Sequence, residues 1–566
     1  MRTRIVASLF FILTALSLMA LSTDQTAPIQ LVNESGAANN QVFFIAQGVD
    51  PNTHQDCFLK FDKKGVGSCI PVTLTTRPSE FSYSFAEFDA INQILHIPRI
   101  DSGRLYVSLG QKMALYTEED TYGKIKIVSF EGFNPLHPSF YLLHDKVEFS
   151  SAPNGFFINP TAVDFFALPL QLTNEDATGS LKASGLTKNV ICGKNNSCGV
   201  RDILNQFDET SSQEWQKLFV YFGQNTDLPL RVMAPGKAMY SDINGLPPFN
   251  PYYLGPGPSL NHGFYIDEVW KYYQTHTLRI DAKGINPTPG VGDEKYMFVG
   301  KVSATNPNIF VFKSPIETVN LEKPANSVPF FAGGVGTFDH ENNTAKAIIV
   351  RQLTSAFTVG LLPAPDDTLL DMHYFEENKP HYYQDNAILT EQGLASGGPW
   401  YDLYAYALHS FGEPIYAFAY DDALGQDGTM HVSVHEGITT PTRITLGDMR
   451  NQDGSVAIPN PYTHKTYKKI MLDIPASITV EYQGKKLSGN AYFYENVETP
   501  LEVYINGDPT LLKIYLEYPT IAMEPYSKSA YGILVNPKDW PNPIPENEAV
   551  IKFPGAWDCP IGCTIP

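Results

Sequence analysis

The sequence predicts a mainly β protein with an α/β part, followed by a small C-terminal β-sandwich. Three observations carry this. Apolar runs of roughly four to eight residues recur along the chain, bounded by Gly, Pro, Asn and Asp. The 566 residues include 43 Pro, 42 Gly, 31 Tyr and 34 Phe, a composition of many strands and turns. Between residues 173 and 307 the period changes, and helical stripes interrupt the strand pattern. The length suffices for two or three cores.

The first segment, Met1–Ser22, has the form of a secretory signal. Arg2 and Arg4 precede the apolar run Ile5–Leu21, and Ala20-Leu21-Ser22 supplies small residues for cleavage. No later stretch is long and apolar enough to span a membrane, so an exported protein without a membrane span is expected, extracellular or periplasmic. The formal net charge of −20 argues against nucleic acid or an anionic membrane surface as partner. It is compatible with a neutral substrate and with simple solubility. The six cysteines fall as Cys57/Cys69, Cys192/Cys198 and Cys559/Cys563. In an exported chain an even count favours disulfides, and nearest-neighbour pairing would staple three short loops. Zinc is the competing reading, but the spacings make no zinc ribbon and no His pair stands beside them. No metal and no cofactor is expected.

The mature fold begins with strands at Ile29–Asn33 and Gln41–Ala46, then Arg104–Leu109 and Lys124–Ser129. Helices are expected at Asp202–Phe207, Ser211–Phe222 and Tyr265–Tyr273. Ser211 with Glu214 forms a capping box, and Trp215, Leu218, Phe219 and Phe222 recur at helical spacing as core residues. The Pro/Gly-rich loop Gly245–Gly263 is long enough to line a groove or to serve as a rigid connection. Strands return at Asn308–Lys313, Ala347–Leu353 and Thr358–Leu362. A helix is expected within Pro399–Ser410, then strands at Met430–Val434 and Thr442–Leu446 close the sheet. After a polar linker at Arg450–Tyr462, five short strands between Lys468 and Tyr515 predict the C-terminal sandwich. Trp540 and Trp557 could offer sugar-stacking faces there.

The chemistry-bearing stretch is Leu142–Leu172. It reads as two strands, Asp145–Ser150 and Thr161–Leu172, joined by a turn-rich connection that contains Pro153, Asn154, Gly155 and Pro160. Glu148 lies between Val147 and Phe149, and Asp164 between Val163 and Phe165. Alternation along a strand turns each acid away from the apolar residues beside it. If the connection folds back, the two acids share one face. A pair of carboxylates across a groove can hydrolyse a glycosidic bond, one donating a proton and the other activating water. The same pattern also describes two solvent-facing acids on half-buried strands. The chain holds no G-x-S-x-G elbow and no H-E-x-x-H helix, and Ala332–Gly336 lacks the register of a phosphate loop.

The run VEFSSAPNGFFINPTAVDFFALPL resembles the active-site segment of glycoside hydrolase family 64, the inverting, laminaripentaose-producing type of endo-β-1,3-glucanase within the thaumatin-like superfamily. SGRLYVSLG at Ser102–Gly110 and PIYAFAYDD at Pro414–Asp422 are similar to two further family elements. The resemblance implies a thaumatin-like β-barrel or sandwich plus a mixed α/β subdomain, together forming an open groove. It implies hydrolysis of β-1,3-glucan with inversion, Glu148 as general acid and Asp164 as general base. Glu148 would then have to hold its proton near neutral pH, helped by apolar neighbours such as Phe149. Ser150, Asn159 and Thr161 fall at sugar-contacting positions. Asp421 and Asp422 either line the same groove or cap a turn with Gly425–Gly428. The expected division is a signal peptide at 1–22, a catalytic domain at 23–447 and a C-terminal β domain at 448–566. The catalytic domain would comprise a β core at 27–172 and 308–447 with the mixed insertion at 173–307. A monomer is expected. The alternative is a thaumatin-like glucan-binding or interaction protein without turnover.

Overall fold

The computed structural model describes residues 26–458 and four strands between 472 and 537. Excepted are 75, 77, 114, 129–141, 154, 176–179, 192–198, 205–214, 223–224, 240–248, 250–264, 283–295, 326–327, 341–342, 394–399, 433–439 and 452–453. The protein is mainly β with some helices. Its strands form several sheets, and among the described residues none closes into a barrel.

Seven strands position the site: β1 (Val42–Val49), β2 (Ile100–Leu109), β3 (His144–Ala152), β4 (Gly155–Pro160), β5 (Phe165–Phe166), β6 (Asn225–Met233) and β7 (Met430–Val432). The largest sheet has eight strands. It runs β7–β4–β3–β2–β1, continues through Asp56–Phe61 to Gly67–Pro71, and carries Ser82–Ser84 on β1. The Cys57–Cys69 disulfide ties its last two strands across a Cα separation of 5.5 Å. The other two expected cysteine pairs lie outside the described residues, as do the proposed signal segment, Trp540 and Trp557.

A second, five-stranded sheet packs against the first. Thr442–Leu446 lies at its centre, parallel to Ala27–Asn33 and antiparallel to Leu170–Glu175. The described ends of the 27–446 segment therefore meet in one sheet. Between the two sheets, Val147, Leu105, Ile158 and Leu172 are almost fully buried. Burial of each such side chain contributes ~1.5–3 kcal/mol, and that common core is what holds the layers together.

A further five-stranded sheet, built from Leu278–Glu322 and Thr368–Leu370, packs on helices Tyr265–Tyr272 and Thr344–Thr358. Trp270 sits between Phe310 and Phe357, with ring centroids at 5.5 and 6.3 Å.

Four local expectations change. Neither Ala347–Leu353 nor Thr358–Leu362 is a strand: Thr344–Thr358 is one helix followed by a turn, capped by the Asn343 side chain, which accepts from the Lys346 amide at 2.7 Å. The β-branched run Ile348-Ile349-Val350 suggested a strand. Burial of Ala345, Ile349, Leu353, Ala356 and Phe357 follows the helical period instead. Phe219–Phe222 is a strand paired with β6, although its aromatic residues fit a helical stripe. Thr161–Leu172 is not one strand but a bridge, a bend, the two-residue β5 and the start of another strand. The turn-rich connection is itself mostly strand, because β3 and β4 form a hairpin that turns within 152–155. Ser211 and Glu214 lie outside the described residues, as does most of the Gly245–Gly263 loop. The helices Gly199–Leu204, Tyr265–Tyr272 and Leu403–His409 overlap their expected positions.

Candidate active site

Glu148 stands in the middle of β3, in register with Asn159 of β4 and Arg104 of β2. Alternation puts Lys146, Glu148, Arg104, Tyr106 and Asn159 on one face. Val147 and Phe149 take the other. A Cβ on Gly103 would come within 2.4 Å of the Phe149 ring, so glycine lets that ring lie flat against β2. The Glu148 carboxylate accepts from Arg104 Nε at 3.1 Å, and its side chain is 26% exposed. A guanidinium, not Phe149, is the close neighbour of this acid.

Asp164 is placed differently. It lies in a bend before β5, and β5 pairs with the end of β6. Its carbonyl accepts from the Ala234 amide at 3.0 Å. The chain then enters α1 (Pro235–Ala238), whose Lys237 brings its ammonium to 3.3 Å from the Asp164 carboxylate. Lys146 forms a second ion pair with the same carboxylate. Burial pushes the Asp164 carboxyl up, but Lys146 and Lys237 outweigh it and hold the group below the usual carboxylate range.

A cleft of about 350 Å³ opens beside Glu148, lined by Arg104, Glu148, Ser150, Phe157, Asn159 and Thr429. Ser150 and Asn159 therefore share a wall with the acid. The Asn159 amide donates to Thr429 Oγ1 at 3.4 Å, and its Oδ1 has no partner among the described residues. Phe157 stacks on His431 of β7 at 4.5 Å. Thr161 and Asp164 do not line this cleft. Thr161 is buried with its hydroxyl unpartnered among the described residues. Its segment is pinned by Tyr416, which donates its amide to Pro160 and accepts from Ala162 at 2.7 Å. The Tyr404 hydroxyl of α2 (Leu403–His409) donates to the Ala162 carbonyl at 2.5 Å.

Asp421 and Asp422 stay out of the cleft. Asp421 is fully buried, accepting from the Ala417 amide and pairing with His409, while Asp422 meets Arg351 on the surface. The PIYAFAYDD element thus supports the site through Tyr416. Sequence reasoning missed Lys146, Lys237 and Thr429. Lys146 was legible, two residues before Glu148 and on its face. Lys237 carries no local signal. Among the described residues no cluster of His, Cys, Asp and Glu could hold a metal ion, and no helix is long and apolar enough to cross a membrane.

Glu148 on the sheet face beside a polar cleft, and Asp164 on the neighbouring bend in a separate charge setting, are a pair of carboxylates of the kind that glycosidic-bond hydrolysis uses. The family assignment agrees: the sequence model of glycoside hydrolase family 64, β-1,3-glucanase, matches residues 25–446, and the chain belongs to that family. It is a β-1,3-glucanase. The fold is similar to that of a β-1,3-glucanase domain from Clostridium beijerinckii, with 20% identity and a TM-score of 0.52 over 75% of this chain and 99% of that one. It is also similar to that of a laminaripentaose-producing β-1,3-glucanase solved in complex with laminaritetraose, with 19% identity, a TM-score of 0.53 and the same coverage of 75% and 99%. No curated protein sequence matches the chain.

Proposed function

We propose that the chain hydrolyses β-1,3-glucan with inversion at the anomeric carbon, with Glu148 as general acid and Asp164 as general base. The observation that carries this reading is the contrast between the two carboxylates. Asp164 is held ionised by two ammonium groups, whereas Glu148 stands in the wall of the cleft. A laminari-oligosaccharide lies along that cleft, with the glycosidic oxygen near Glu148. Asp164 takes a proton from a water on the opposite face of the sugar ring. The water oxygen bonds to the anomeric carbon as the C–O bond to the leaving sugar breaks, and Glu148 gives its proton to the departing oxygen. Arg104, already against Glu148, offsets the negative charge left there. The free Asn159 Oδ1 and the Ser150 hydroxyl bind sugar hydroxyls, and Thr161 supports the wall that Asn159 belongs to. The reading extends to an exported monomer with a thaumatin-like core and a C-terminal sandwich.

Proton NMR of laminarin digestion by the purified protein tests it. Early α-anomer product is expected. Early β-anomer would keep the glucanase and overturn inversion with this division of roles.

A further inference from the structure

The mechanism uses two carboxylates but leaves two cations without a role. Lys146 is 3% exposed at its side chain, and a buried ammonium must be paired. Its ion pair is with Asp164, although Glu148 lies two residues away on the same strand and face. Neighbours at that spacing are about 6–7 Å apart along a strand. Lys146 thus shares a face with Glu148 yet is directed to Asp164. Lys237 reaches the other oxygen of Asp164, Oδ1, from α1. The two carboxylate oxygens are thus held by cations from two separate elements, which fixes the plane of the carboxyl group.

We infer that Lys146 and Lys237 are positioning residues that orient Asp164 toward the attacking water and set the acidic limb of the pH–rate profile. The inference rests on the reading of Asp164 as general base. Among the described residues, the Arg104 guanidinium on β2 and the Tyr404 hydroxyl on α2 also feel the charge of Asp164. Lys146 itself also faces Tyr106 on β2. Both lysines favour the ionised base. Arg104 is already engaged with Glu148, and Tyr404 donates to Ala162, so neither replaces a lost lysine. A salt bridge that merely braced the 161–166 segment would affect unfolding and leave the limb where it was.

The test is laminarin hydrolysis by the full-length protein across pH, with Lys146→Met, Lys237→Met and Asp164→Asn beside the wild type, and thermal unfolding of each. Lys146→Met is expected to move the acidic limb upward by about 1–3 pH units, with kcat falling far more than KM changes. Lys237→Met moves it in the same direction by less, because Lys237 is 30% exposed and its charge is screened. An unmoved limb in Lys146→Met, whatever its melting temperature, overturns the inference. Should that variant fail to fold, an unmoved limb in Lys237→Met overturns it equally. Asp164→Asn separates the two levels of the claim. If it is inactive and the lysine variants leave the limb in place, the inference alone falls. If it stays active, the base assignment falls and takes the inference with it.

Discussion

The two acids lie on regions built in opposite ways. Glu148 rides on a β-hairpin in mid-sheet, paired on each side: Asn159 to one hand and Arg104 to the other, ahead of a register shift after Phe149. Its position follows from strand register. Asp164 rides on an irregular stretch whose fixed points come from other segments of the chain, most of them distant. Tyr416 and Tyr404 hold the residues before it, β6 holds the residues after it, and Asp145 accepts from the Ala167 and Leu168 amides at 2.7 and 3.0 Å. An acid on a ladder needs only its strand and the strands beside it, whereas one on a bend needs the whole tertiary structure.

The largest effects test the pair itself. Glu148→Gln and Asp164→Asn are each expected to lower kcat by roughly 10²–10⁴-fold while glucan still binds, the range that proton transfer by a placed side chain supplies. Reducing-sugar release with a parallel binding assay on insoluble glucan measures both, and near-normal turnover in either variant would remove that residue from the chemistry. Next comes the scaffold of the bend. Asp145→Ala removes the acceptor of three buried amides, Lys146, Ala167 and Leu168, and should cost about 2–5 kcal/mol in chemical denaturation. A loss below about 1 kcal/mol would mean that the Asp164 region is held elsewhere. Tyr404→Phe leaves one buried carbonyl, Ala162, without its donor and should cost about 1–3 kcal/mol. If the comparison between the regions is right, its turnover falls as well, since the bend relaxes.

The smallest effect is the response of stability to pH. Burial pushes the Asp145 carboxyl up to about 7, against its three backbone donors. It pushes Asp402, the cap of α2, up to about 7 as well. Both folded values lie above the ordinary carboxylate value of about 4. The folded state therefore binds protons that the unfolded state has released, and this share of stability is present below about pH 4 and lost as pH rises toward 7. Melting temperatures recorded over that window should fall as pH rises. A rise would mean that Asp145 and Asp402 do not govern stability in that window, since carboxyls held below the usual range, such as Asp164, lose their contribution only below about pH 4.

Much of the β architecture was legible because short strands announce themselves by alternation and by the Gly, Pro and Asn that end them. Ile309–Lys313 and Thr442–Leu446 fall where the pattern put them. Pattern failed where two periods compete. Ile348-Ile349-Val350 carries strand-forming side chains, yet the helix Thr344–Thr358 buries a stripe that only the longer window reveals. Phe219–Phe222 fits a helical stripe and became a strand because β6 was there to pair with it.

For the site the division is sharper. The sequence by itself determined the Glu148 face, since a strand's side chains alternate whatever surrounds them, and it placed Lys146 on that face too. It singled out the segment that carries the two acids through the family resemblance, since spacing alone fits two solvent-facing acids equally well. Only the tertiary structure decided what each acid touches. Arg104 lies opposite Glu148 by strand register, and Lys237 reaches Asp164 from a helix well further along the chain. Charge–charge energies depend on distance and burial, and neither is a property of neighbours in sequence.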